Sequence, residues 1–293
     1  MTTRRSFLKT SAMLSAGLLV APKLFAYNKE YIGLQLYTVR DHMAQDPAAT
    51  LAKVAQIGYN SVEGTYSGPG KFHNVATKDF AGMLKQNGMV MMSCHYRLGE
   101  EKENGVAQQG TILNGWDKAV DDAAEVGLKY MVCAYLSVAE RGSLDHYKKV
   151  ADDFNKAAET CKKAGIQFCY HNHDFEFIQQ DGKYPYETLL ANTDKNLVKM
   201  EMDMYWVTKA NQDPIALINK HPGRFPLWHI KDMDKTTDRS FTEVGNGIID
   251  FKKIFKHADK AGLNYFFVEE DRCPGDPYDS IKQSISYIKA NLV

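Results

Sequence analysis

The stretch CYHNHDFEF at residues 169–177 sets two imidazoles one residue apart. Three later stretches repeat the pattern of a histidine or carboxylate at alternate positions: EMD at 201–203, HIKD at 229–232 and VEED at 268–271. On an extended strand, side chains at i and i+2 face the same way. Parity therefore groups Cys169, His171 and His173; Glu201 and Asp203; Leu227, His229 and Lys231; and Tyr265, Phe267 and Glu269. One histidine or carboxylate from each stretch, namely His171, Asp203, His229 and Glu269, makes a mixed nitrogen and oxygen set of four ligands. Such a set suits Mn²⁺, Co²⁺, Zn²⁺ or Fe²⁺, with Mn²⁺ slightly favoured, better than Ca²⁺. It lacks the thiolates of a structural zinc site.

For these groups to meet, the chain must carry them on neighbouring strands. Helical stretches repeatedly end in glycine and lead into a short apolar run: QIGYNSVEG, QNGMVMMSCHY, EVGLKYMVCAYL, KAGIQFCYHNH and KAGLNYFFVEED. Gly58, Gly88, Gly127, Gly165 and Gly262 fall where a helix turns off through a left-handed residue. With YIGLQLY, NLVKMEMD and RFPLWHIKD these give eight strand candidates. Amphipathic stretches such as DPAATLAKVAQI, TKDFAGMLKQN and LDHYKKVADDFNKAAETCKKA lie between them. Strand–helix alternation implies a parallel sheet, and eight units in this length fit one closed (β/α)₈ TIM barrel. Its catalytic groups belong at the C-terminal strand ends, where Tyr37, Arg40, Glu63, His95, His171, Asp203, His229 and Glu269 fall. Burying so many charged groups costs several kcal/mol each unless they are paired or bind a cation.

GLQLYTVRD, YHNHDFEF, Asp203, HIKD, EVGNGIIDF and VEED, in this order, resemble the xylose-isomerase-like TIM barrel superfamily, and within it the sugar phosphate isomerase/epimerase group. The resemblance spans nearly all of the chain after residue 26. It implies a divalent metal held by a strand-five glutamate, a strand-six aspartate, a strand-seven histidine and a strand-eight glutamate. Asp203, His229 and Glu269 match directly. The strand-five place holds His171, a His-rich pattern similar to the inosose dehydratase branch. Ketose epimerases of the superfamily use both glutamates as acid and base, so the substitution puts that scheme in doubt. A metal-bound imidazole has little spare basicity, and His173 and Lys231 become the candidates for proton transfer. Glu63 and His95 are second choices, better suited to binding hydroxyls. Arg40, Arg272 and Trp206 are candidates for substrate contact, whereas Trp228 is expected to pack outward between strand and helix.

The implied chemistry is enolisation of a keto-sugar, glycoside or cyclitol. Returning the proton gives an epimerase or isomerase; expelling a β-substituent gives a lyase, dehydratase or hydratase acting on a 3-keto-glycoside or inosose. A non-enzymatic sugar-binding protein is the reading from another class, with Tyr37, Trp116 and Trp206 as stacking groups. A partner oxidoreductase supplying a keto-sugar fits the enzymatic readings. The superfamily also includes abasic-site endonucleases, but the charge balance, export signal and shortage of extra ligands argue against nucleic acid.

Residues 1–26 stand apart. Arg4 and Arg5 precede Ser-Phe-Leu-Lys and a short run of small apolar residues, the layout of a twin-arginine signal peptide cleaved near Ala26. That run is too short to span a bilayer, which takes about 20 residues. The expectation is export to the periplasm of one catalytic domain, residues 27–293, with no membrane association after cleavage. The whole chain has 36 basic and 36 acidic side chains. Four of the basic ones, Arg4, Arg5, Lys9 and Lys23, leave with the signal. The slightly acidic remainder offers no electrostatic surface for nucleic acid. Five cysteines, odd in number and irregularly spaced, give no disulfide framework.

Overall fold

Residues 27–100 and 102–293 are described by a computed structural model; the expected signal peptide lies outside them. Eight strands follow one another along the chain: β1 (Gly33–Gln35), β2 (Ser61–Gly68), β3 (Val90–Arg97), β4 (Tyr130–Tyr135), β5 (Gln167–His171), β6 (Val198–Asp203), β7 (Leu227–Ile230) and β8 (Tyr265–Val268). Each pairs in parallel with its neighbours in chain order. β8 returns to β1, with Phe267 opposite Gly33, so the sheet closes. This is the expected (β/α)₈ barrel. The five glycines expected after helices all have positive φ, from 64° at Gly88 to 117° at Gly58.

The helices begin as their sequences dictate. Asp46 accepts the Ala49 N–H at 3.0 Å to start Pro47–Ile57, and Ser143 caps Leu144–Lys163. Asp276 starts Pro277–Asn291, the helix that completes the outer ring. Between helices and strands lies the main hydrophobic core. Trp228 belongs to it, fully buried and edge-on to Phe255 at 5.3 Å, the outward packing expected of it. Trp116 is also a core residue and donates to the Ala157 carbonyl, so it is not a sugar-stacking group. A smaller apolar layer fills the barrel interior: Met92, Tyr130, Val132, Cys169, Leu227 and Phe267. Gly33 makes room for it, since a Cβ there would lie 2.3 Å from the Phe267 ring. All five cysteines are free thiols.

β1, β5, β7 and β8 stop earlier than alternation in the sequence suggests, whereas β2 runs on to Gly68 and β3 to Arg97. β1 gives way at Leu36 to a 3₁₀ turn because the Gln35 side chain accepts the Tyr37 N–H at 3.0 Å. β5 ends at His171; just beyond it Glu176 takes the His173 N–H at 2.9 Å, diverting the backbone from the sheet. His173, Lys231 and Glu269 therefore stand on the segments after strands rather than on the strands themselves. Among the described residues no helix is long and apolar enough to cross a membrane.

Candidate active site

Above the apolar layer the same inward faces carry ionisable groups. Glu201 on β6 stands among three imidazoles: its Oε2 lies 3.0 Å from His95 Nε2, 3.0 Å from His171 Nδ1 and 3.3 Å from His229 Nε2. Glu63 approaches two of these histidines from β2, at 2.9 Å from His95 and 2.5 Å from His229, and accepts the Gln35 amide at 2.9 Å. A shift of register against β3 beside Glu63 helps aim its side chain inward. The other ring nitrogen of His229 lies 2.7 Å from Glu269 Oε2. Lys231 closes the upper side, bridging Asp203 at 3.0 Å, Glu269 at 2.6 Å and Asp271 at 2.9 Å.

Two groups have the spacing of metal ligands, and His229 belongs to both. Donor atoms of Asp203, His229 and Glu269 lie within 4.8 Å of one another, as do those of His95, His171, Glu201 and His229. The expected foursome is thus split: His171 falls with the deeper group, although its Nε2 is 3.6 Å from Asp203 Oδ2. The donor set fits a divalent cation. Glu63 Oε1 and Glu201 Oε1 are buried oxygens without a hydrogen-bond partner, an arrangement that costs free energy unless a cation meets it.

Burial opposes charge on every group here, and neighbours decide the outcome. For His229, burial is outweighed by the carboxylates of Glu201, Glu63 and Glu269, which hold its pKa well above the ordinary value. His95 is raised against burial to about 9 by Glu63 and Glu201. His171 is driven well below the usual range by burial and then by His229, His173 and Lys231. Burial lifts Asp203 to about 6 despite Lys231 and His229. Lys231 is pushed up against burial by Asp203, Asp271 and Glu269.

This network floors a cavity of about 340 Å³ at the barrel mouth, lined among others by Tyr37, His95, Tyr135, His171, His173, Lys231, Glu269 and Asp271. His173 is half-buried, 4.9 Å from the His171 ring and 5.4 Å from the Trp206 ring, and its Nδ1 has no hydrogen-bond partner. Trp206 stands beside His173 with the Lys231 ammonium 5.8 Å from its ring. Arg40 does not line the cavity; it lies over the Tyr37 ring at 4.3 Å and braces that residue. Arg272 is exposed and is also absent from the lining. Glu63 is fully buried beneath the cavity, and its Oε2 meets Gln35, His95 and His229. His95 does line the cavity.

Two structural parts were not singled out by motif. Glu201 shares a face with Asp203 in the sequence, yet only its register opposite His171 shows it to be central. Asp232 of HIKD points away from the cavity and accepts the N–H groups of Gly245, Gly247 and Ile249 at 2.9, 3.0 and 3.1 Å. A Cβ on Gly247 would lie 2.2 Å from Asp232 Oδ1. The glycines of VGNGIIDF thus let a loop close on the end of β7.

A family model described as xylose isomerase-like TIM barrel matches residues 51–291. The chain is 25% identical over 197 residues to an inosose dehydratase of Clostridium beijerinckii, covering 56% of this chain and 65% of that relative. It therefore spans less than two thirds of that curated relative's length. A crystal structure of a sugar phosphate isomerase/epimerase from Parabacteroides distasonis aligns with TM-score 0.77 and 28% identity, over 88% of this chain and 97% of the other. The structure of an IolI protein binding a zinc atom shares the fold, with TM-score 0.66 and 14% identity, over 89% of this chain and 96% of the other.

Proposed function

The chain belongs to the xylose isomerase-like TIM barrel family, and from that premise we propose a divalent-metal-dependent enzyme that removes a proton alpha to the carbonyl of a keto-sugar, glycoside or cyclitol. The observation that carries the reading is the buried carboxylate–imidazole network with its unpartnered oxygens, set directly beneath a polar cavity. Asp203, His229 and Glu269, with His171 as fourth, are the residues proposed to hold the metal; it would polarise the carbonyl and an adjacent hydroxyl as a Lewis acid.

The remaining residues divide by geometry. His173 presents a ring nitrogen without a partner at the cavity wall and is assigned the proton transfer. The Lys231 ammonium is engaged by three carboxylates, which suits it to balance negative charge as an enediolate develops, not to take a proton. Trp206 packs beside His173, its ring 5.4 Å away, and buttresses it.

A β-elimination or hydration outcome is the second reading, and His171 favours it. Without a strand-five glutamate, the two-glutamate scheme for moving a proton between faces is absent, and the curated relative is an inosose dehydratase. Export of the protein to the periplasm, read from residues 1–26, and a partner oxidoreductase that supplies a small keto-sugar belong to the same proposal. The test is incubation of metal-loaded protein with keto-sugars, 3-keto-glycosides and inososes in D₂O, with Mn²⁺ or Co²⁺ added. Deuterium alpha to the carbonyl with the substituents retained supports epimerisation; loss of a β-substituent supports the lyase. No exchange with any of them sinks the enolisation reading and returns weight to a sugar-binding protein; turnover that survives complete removal of metal sinks the metal dependence.

A further inference from the structure

On its β3–β4 side the catalytic cavity shares wall residues with two neighbouring cavities. A second cavity of about 470 Å³ adjoins it there, and a third of about 450 Å³ lies toward the loop after β2. Arg97, the last residue of β3, lines all three. Tyr135, the last residue of β4, lines both the catalytic cavity and the second one. The catalytic cavity alone lies near the lower end of ligand pockets, which run from roughly 300 to 1,000 Å³. Joined to its neighbours it has room for considerably more than one sugar ring.

The outer cleft is built, not a gap between loose loops. Glu140, 3% exposed, accepts the N–H groups of Gly99, Glu100 and Ser137 at 3.0, 2.9 and 2.8 Å, tying the loop after β3 to the loop after β4. The Ile112 N–H bonds the Arg97 carbonyl at 3.1 Å, fixing the adjoining wall. Tyr135 keeps 43% of its surface exposed although it is pinned on several sides. Arg141 stacks on its ring at 4.7 Å and bonds its hydroxyl, while His173 and Phe175 meet it edge-on at 5.1 and 5.7 Å. An exposed aromatic ring held in one orientation is a platform for the C–H face of a sugar. Arg97 has no carboxylate within ion-pair distance among the described residues, leaving its fork of N–H donors for hydroxyls on either side of the junction.

We propose that the substrate is a glycoside of at least two units, with the reacting ring beside His173 and the linked unit in the outer cleft against Tyr135 and Arg97. This rests on the enolisation reading only for which ring reacts. Size selection can be measured without turnover, by calorimetric titration of the metal-loaded protein with D-glucose and with maltose, cellobiose and trehalose. At least one disaccharide is expected to bind roughly tenfold more tightly than glucose, about 1.4 kcal/mol. Tyr135→Ala and Arg97→Ala are expected to shrink that ratio toward one. A wild-type protein that binds none of the three disaccharides more tightly than glucose overturns the proposal, whatever the variants do. So does a ratio that both variants leave intact. Because no proton exchange is read, this failure is distinct from failure of the enolisation assay.

Discussion

Two residues of chain separate hydrocarbon from charge inside this barrel. Leu227, Phe267 and Cys169 belong to the apolar layer; His229, Glu269 and His171, two positions further along the same strands or just past their ends, belong to the network under the cavity. At about 3.3 Å of rise per residue the two layers are roughly 7 Å apart. The lower layer excludes water and requires only that its shapes fit. That dry floor lowers the local dielectric, which strengthens each ion pair above it and makes each unpaired charge more costly. Apolar positions are therefore replaceable by similar volumes, whereas positions in the upper layer depend on one another.

Glu201→Ala should break the comparison most severely. It removes the carboxylate that lies within 3.3 Å of three imidazoles and leaves those rings facing one another across the space it occupied. Uncompensated loss of one partner in such a buried set costs about 3–5 kcal/mol, and metal affinity should fall by roughly 10–100-fold or more. Chemical denaturation and metal analysis of the purified variant measure both. A Glu201→Ala protein with wild-type stability and metal content would show that the upper layer does not depend on this residue.

Leu227→Ala is the counterpart one layer down. The side chain is fully buried in the apolar layer, and its truncation should cost about 2–5 kcal/mol through lost contacts and a residual cavity. Metal affinity should stay within about twofold of wild type, since no polar contact is removed. If metal affinity falls as far as in Glu201→Ala, the layers are not energetically separate.

The same contrast explains what could be read without coordinates. Strand–helix alternation and the five glycines after helices reveal the barrel, because each unit writes its own local signal. Asp203, His229 and Glu269 were legible because parity on a strand is a local property. Which group of donors actually meets was not, since it depends on the stagger between strands: Glu201 lies opposite His171, whereas Asp203 lies opposite His229. Strand ends were also hidden, because Gln35, Glu176 and Asp203 stop or redirect the backbone through their own side-chain hydrogen bonds. Glu63 looked like a rim residue for the opposite reason: β2 runs five residues past it to Gly68, which leaves it beneath the floor.

Glu176 offers the finest test, because it is a buried carboxylate outside the network and without a cation in contact. It accepts the Tyr170 hydroxyl and the His173 N–H, and it is fully buried. Burial raises its pKa to about 7 although both hydrogen bonds oppose the rise. In the unfolded chain it ionises near the ordinary value of 4.5. Below that pH the group is protonated in both states and carries no penalty. As pH rises toward about 7 the unfolded chain loses its proton first, so stability falls; above about 7 both states are ionised and the fall levels off. The loss is on the order of 1–3 kcal/mol. Glu176→Gln keeps an acceptor for the His173 N–H and removes the titration, so its melting temperature should decline less than wild type between about pH 5 and 7.5. Superimposable profiles would mean that the carboxyl does not titrate in this window, and that its two hydrogen bonds match the cost of burying the charge.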